Sequence, residues 1–221
     1  MAGLVFSNER KLEKAGQQVQ PDIALDVRGQ DHPWASRGGL KLAHAIEHFS
    51  IDPKDAVCID VGASTGGFTD VLLQNGARRV YAVDVGHGQL AWKLRSDERV
   101  HVLEKTNARY LTEAEIPEPA DIVVCDASFI SLKTVLPAAL SLAKKGAVLA
   151  ALIKPQFEAG REHVGKGGVV RDPDVHLQVC ETIRNWLESM TDWTVRGIVE
   201  SPITGPEGNV EFLIVADKTA E

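Results

Sequence analysis

From residue 54 to residue 148 the sequence alternates short β-rich runs with helical stretches, and this alternation constrains the fold more than any other feature. Strands and helices that take turns along a chain assemble into a mostly parallel sheet with helices on both faces, a doubly wound, Rossmann-like α/β architecture. Residues 56–61, 79–85, 100–104, 121–126 and 147–154 read as five strands, several of them apolar throughout, as strands covered on both faces must be. Residues 67–74, 89–95 and 131–143 read as the intervening helices, with Gly76 and Gly146 where helix C-caps belong. Beyond Lys154 come a loop rich in glycine and charge (156–171), a helix over 173–190 and two more strands, 193–200 and 209–216. The first 35 residues do not follow the alternation and read as a fragment or linker. The 221 residues, 44% of them hydrophobic, suffice for one large domain with a short appendage.

The most specific string is Asp60-Val-Gly-Ala-Ser-Thr-Gly-Gly-Phe-Thr69, where the first strand of the alternation turns into the first long helix. Gly62 lets the chain turn tightly, and Gly66 and Gly67 are expected to let the backbone and the helix N-terminus approach a bound ligand. An acidic residue ahead of the first glycine suits a cofactor with an amino group and a sulfonium charge better than one with a pyrophosphate, which favours S-adenosyl-L-methionine over a nicotinamide dinucleotide. Asp84 ends the next strand, where a carboxylate can accept hydrogen bonds from both ribose hydroxyls, and Asn107 follows the third, in position to meet an adenine edge. The plainer reading, that Asp60 and Asp84 are turn formers at strand ends, does not account for their joint spacing. Seven strands ending in a hairpin-like pair also fit a methyltransferase sheet better than a dehydrogenase sheet, by fold analogy alone.

Methyl transfer from a sulfonium is an in-line displacement, so the protein must align the acceptor and remove its proton. A ribose 2′-hydroxyl is a poor acid and needs a strong base held close, a task that a buried lysine can perform. Lys154 stands at the C-terminal end of the fifth strand, the edge where open α/β sheets bind ligands, and Pro155 keeps its backbone extended. Asp126 ends the fourth strand, Glu211 lies in the last one and Lys41 opens the helix before the first. Each alone is readable as a solvated charge; the four together are expected on one rim. Asp126 is followed by Ala127-Ser128-Phe129 rather than by paired prolines, which favours an oxygen acceptor over an exocyclic amine.

The net charge of −7 argues against a protein that grips nucleic acid by bulk electrostatics, so any such contact must be local. Cys58, Cys125 and Cys180 are odd in number and far apart, as expected of reduced, buried thiols in a cytoplasmic protein. No basic-then-apolar leader opens the sequence, and its longest apolar run, 147–153, is far short of the roughly 20 residues of a membrane helix, so no membrane partner is expected. Gly160-Arg-Glu-His-Val-Gly165-Lys166 has the spacing of a phosphate-binding loop, but Gly167 stands where a magnesium-binding hydroxyl belongs. It reads either as a loop that closes over substrate or as an ordinary surface loop. His44 and His48 sit one helical turn apart without a convincing third ligand, so no metal is expected. Arg37 can serve an RNA phosphate or a nearby carboxylate. Trp34, Trp92, Trp186 and Trp193 are read as packing residues.

With these residues in view, the sequence closely resembles the haemolysin A-type (TlyA) ribosomal RNA 2′-O-methyltransferases, relatives of the FtsJ family. The segments that carry the resemblance are Ser36-Arg-Gly-Gly-Leu-Lys-Leu42, Asp60–Thr69, Cys125-Asp-Ala-Ser-Phe-Ile-Ser131, Ile153-Lys-Pro-Gln-Phe-Glu158 and Gly208-Asn-Val-Glu-Phe212. The resemblance implies a class I methyltransferase fold over 31–221 and a catalytic set of Lys41, Asp126, Lys154 and Glu211. It implies S-adenosyl-L-methionine held by Asp60, Gly62, Ser64, Thr65, Gly66, Gly67, Phe68, Asp84, Val85, Asn107 and Asp126, and transfer to a cytidine ribose of ribosomal RNA. Residues 1–30, with Ala2-Gly-Leu-Val-Phe and Glu13-Lys-Ala-Gly, resemble the second half of the S4 RNA-binding module that precedes the methyltransferase in this family. The helical first half has no counterpart in the sequence, which implies a shortened chain and leaves its autonomous RNA binding an open question. Two readings from other classes stand beside this one: a pore-forming haemolysin, and a catalytically silent RNA-binding factor of ribosome assembly.

Overall fold

The computed structural model of the chain describes residues 5–7, 10–12, 18–20, 22–27 and 32–219. The chain folds as two units, Met1–Pro33 and Trp34–Glu221. In the first, β1 (Val5–Ser7) pairs antiparallel with β2 (Arg10–Lys11) on one side and β3 (Asp26–Val27) on the other. Strands of two or three residues are too short to print a period-2 pattern in the sequence, which is why the alternation does not show them. Of the two strings singled out here, 13–16 lies outside the described residues, and of 2–6 only Val5 and Phe6 are described.

The second unit is built on a seven-stranded sheet. Its strands are β4 (Val57–Val61), β5 (Arg79–Val83), β6 (Val100–Leu103), β7 (Ala120–Cys125), β8 (Ala143–Ile153), β9 (Trp193–Glu200) and β10 (Phe212–Lys218), in the spatial order β6-β5-β4-β7-β8-β10-β9. The first five are parallel, and β10 runs antiparallel between β8 and β9. Strand order reverses between β4 and β7, so the loops after these two strands diverge and leave a crevice at the carboxyl edge of the sheet.

Alternation along β4 sends Val57, Ile59 and Val61 to one face and Cys58 to the other. The first face is covered by α4 (Leu132–Val135), α5 (Pro137–Ser141) and α7 (Pro173–Glu188). The second is covered by α1 (Gly38–Phe49), α2 (Gly67–Gln74) and the short α3 (Trp92–Arg95). Fully buried side chains such as Ile59, Leu72, Ile183 and Leu213 each contribute about 1.5–3 kcal/mol by leaving water.

Three expected elements differ. The helix over 131–143 is two short helices, because Pro137 lacks the N–H that would continue the ladder and instead starts α5. The helix over 89–95 contracts to α3, since Ala91 is extended and donates its N–H to the Thr65 carbonyl. Gly146 caps no helix; it lies inside β8 at φ 77°, where the pairing with β7 jumps from Ala120 opposite Ala143 to Ile122 opposite Val148. Gly76 does follow α2 in the left-handed region, at φ 89°, and donates its N–H to the Leu73 carbonyl.

Candidate active site

The turn after β4 is built by contacts that no side chain larger than hydrogen would permit. Gly62 has φ 82°, and a Cβ there would stand 2.8 Å from Ala127 Cα and 2.9 Å from Ala127 N, so the loops after β4 and β7 meet backbone to backbone. Gly62 and Ala63 both donate their N–H groups to the Val83 carbonyl, which folds the turn over the end of β5. The space left by Gly66 is filled by Leu90 and Leu94, and that left by Gly67 by Ser36 and the backbone of Gly39. The side of each glycine where a Cβ would stand is thus taken up by the protein's own neighbouring segments.

Asp60 lies in β4 on the face covered by α2, with no exposure to solvent. Its Oδ2 accepts from the Thr69 hydroxyl at 2.7 Å, while Oδ1 has no hydrogen-bond partner among the described residues. Burial pushes its carboxyl up to about 7, with the charges of Asp126 and Asp84 adding to the effect and the Thr69 bond opposing it.

A cavity of about 610 Å³ opens beside this turn, lined by Gly62, Ser64, Asp84, Val85, Asn107 and Asp126 among others. Asp84 accepts the Ser64 N–H at 2.8 Å through Oδ2 and the Gly86 N–H at 2.6 Å through Oδ1, which ties the ends of β4 and β5 into one rim. Asn107 caps the 3-10 turn Ala108–Tyr110: its side-chain oxygen accepts from the N–H of Arg109 at 3.1 Å and from the Arg109 Nε at 3.3 Å, so its NH2 is what remains for a ligand.

A second cavity of about 230 Å³ shares Gly62, Ser64, Asp126 and Ser128 with the first and is also lined by Lys41, Lys154 and Glu211. The four charged residues expected on one rim therefore meet, although they come from α1, the ends of β7 and β8 and the residue before β10. Lys41 Nζ donates to Glu211 Oε2 at 2.5 Å, and Gln156 Nε2 donates to Glu211 Oε1 at 3.2 Å. Lys154 Nζ lies 2.6 Å from Asp126 Oδ1, an ion pair off the hydrogen-bonding angle, and donates to the Asp126 carbonyl at 3.0 Å and to Ser128 Oγ at 2.9 Å. Lys41, Lys154 and Glu211 are buried, an environment that only pairing makes tolerable for charged groups.

The remaining expected cofactor residues divide. Gly67 and Phe68 line the smaller cavity, whereas Asp60, Thr65 and Gly66 line neither. Sequence reasoning gave no role to Ser128 and Gln156, which complete the hydrogen bonding of the four charges, or to Phe129, 90% exposed at φ 64° on the rim of the larger cavity. Their place in the strings around Asp126 and Lys154 was the available signal. Arg37 lines the smaller cavity and donates to the Thr204 carbonyl at 3.4 Å. Of the tryptophans, Trp193 is buried, Trp34 packs over Gly39, and Trp92 is exposed.

Comparison with known proteins agrees with this architecture. A Bacillus subtilis protein provisionally named an rRNA methyltransferase is 51% identical over 97% of this chain and 76% of its own length. The 16S/23S rRNA (cytidine-2′-O)-methyltransferase TlyA of Mycobacterium tuberculosis is 49% identical over 96% of this chain and 80% of its own. The solved structure of a Streptococcus thermophilus protein with a provisional hemolysin name is 44% identical and superposes with a TM-score of 0.86 over 99% of this chain and 80% of that one. Residues 34–218 match the FtsJ-like methyltransferase family, and the chain belongs to that family.

Proposed function

We propose that this chain transfers a methyl group to a ribose 2′-hydroxyl of ribosomal RNA, on a cytidine. The observation that carries the reading is the meeting of Lys41, Asp126, Lys154 and Glu211 on a cavity that shares its wall with the larger one. S-adenosylmethionine is the methyl donor of this family and supplies an electrophilic methyl on a sulfonium. The larger cavity suits it: Asp84 closes the second strand as a ribose-binding carboxylate would, and Asp84 and Asp126 both line it, carboxylates that favour a cationic ligand and disfavour a pyrophosphate.

In this reading Lys154 takes the proton of the acceptor hydroxyl. Its burial excludes competing water, and Asp126 and Ser128 fix its Nζ at the junction of the two cavities. Lys41 and Glu211 line the same cavity and orient the sugar. The amino-terminal unit is read as the tail of an S4 module. The identities of the Bacillus and Mycobacterium relatives support ribosomal RNA as the acceptor.

The test is to supply tritiated S-adenosylmethionine with ribosomal subunits and map the label. Label at a ribose 2′ position is expected, and label confined to bases removes the reading. The hemolysin name of the Streptococcus relative invites a membrane activity. Among the described residues no helix is long and apolar enough to cross a membrane. Lysis of liposomes by protein that methylates nothing would favour that alternative, and failure to bind S-adenosylmethionine would favour a catalytically silent assembly factor.

A further inference from the structure

The four charges form two separate ion pairs, and a neutral side chain, Gln156, bonds to one of them. Lys154 ends β8, and α6 (Pro155–Glu158) follows at once. The antiparallel register that sets Phe212 opposite Ile153 brings residue 211 alongside residue 154. Glu211 nevertheless turns to Lys41, from α1, and not to the lysine beside it. Its second oxygen is held by the Gln156 amide at 3.2 Å, and among the described residues the Gln156 side chain has no other hydrogen bond, its own oxygen being buried without a partner.

We propose that Gln156 is a positioning residue that keeps Glu211 on Lys41 and leaves Lys154 facing a single carboxylate. The inference rests on the ribose-methylation reading. A buried carboxylate accepts through both oxygens, and deprived of Gln156 the oxygen that Lys41 does not hold turns to the lysine alongside it in the register, Lys154. The groups around that lysine are then Asp126 just after β7, Glu211 just before β10 and, behind them, Asp60 from β4 and the Cys125 thiol. Those around Glu211 are Lys41 and, on the same cavity, Arg37. A lysine facing two carboxylates releases its proton only at more alkaline pH, and it cannot act as a base until it has done so.

The experiment compares wild type with Gln156→Met, which keeps the side chain's length and removes its hydrogen bond. Single-turnover methylation of ribosomal subunits is followed from pH 6 to 10, cofactor affinity is measured by calorimetry, and the lysines are titrated by NMR with 13Cε label, without RNA. The expected result is a rate about 10–100-fold lower near pH 7.5, recovery at alkaline pH and unchanged cofactor affinity, together with an alkaline displacement of the Lys154 titration. An unchanged pH profile, or a loss uniform at every pH, overturns the proposal. If wild type methylates no RNA ribose, the functional reading fails by itself, and the RNA-free lysine titration still decides the role of Gln156: displaced, it stands; unmoved, it falls.

Discussion

Lys41 and Glu211 stand 170 positions apart in the chain and form a buried hydrogen-bonded ion pair, with side-chain exposures of 8% and 0%. Two charges in such a place stabilise the fold little as a pair, because the attraction mostly offsets the loss of hydration; removing one leaves the other unpaired and costs about 3–5 kcal/mol. Lys41→Met should therefore lower unfolding stability by that amount in urea denaturation. The double variant Lys41→Met/Glu211→Leu should regain most of the loss and still transfer no methyl groups. A double variant no more stable than the single one would contradict this account.

Lys154→Ala removes the proposed base and leaves the larger cavity intact. Methyl transfer should fall by about 10²–10⁴-fold, the range of general-base catalysis, while S-adenosylmethionine binds within a few-fold of wild type by calorimetry. Activity retained at the wild-type level would take Lys154 out of the reaction.

Asp60 gives the fold a pH dependence of known sign. In the folded protein its carboxyl titrates near 7, chiefly through burial, against 3.8 for an ordinary aspartate. Between these values only the folded state holds the proton, so the stability that Asp60 contributes is fully present below about pH 4, is lost as pH rises to about 7 and is flat above. Asp60→Asn should abolish this decline, leaving the variant more stable than wild type at pH 8 by about 2–4 kcal/mol and close to it at pH 4. Denaturation curves that run parallel across the window would refute the assignment.

Gly62 and Gly88 share a positive φ, 82° and 68°, but differ in surroundings: a Cβ at Gly62 meets the Ala127 backbone, whereas one at Gly88 meets nothing within 4 Å. Gly88→Ala should cost about 1 kcal/mol from backbone strain alone. Gly62→Ala must in addition push the β7 loop away from the turn, so both melting temperature and cofactor affinity should drop markedly. Equal effects at the two sites would mean that the backbone contact is unimportant.

The extent to which the site was legible follows from distance along the chain. Asp60, Gly62 and Asp84 sit at the ends of strongly patterned strands, so their shared edge could be inferred from alternation alone. At Gly66 and Gly67 a missing side chain reads the same whether a ligand or another segment of protein lies against it, and only the folded positions of Leu90, Leu94 and Ser36 show what packs on the Cβ side. Gln156 carried no signal of its own, since an amide beside a proline-started turn is an ordinary surface residue until Glu211 arrives opposite it.

The sequence by itself determined the parallel sheet, the order of its elements and the identity of the charged residues at strand ends, because periodicity and turn chemistry act over a few neighbouring positions. Tertiary structure alone decided which charge pairs with which: Lys41 with Glu211 and Lys154 with Asp126, rather than Lys154 with the glutamate beside it. That choice depends on side-chain direction, burial and the last free hydrogen-bond partner, and none of these exists until distant segments are packed together.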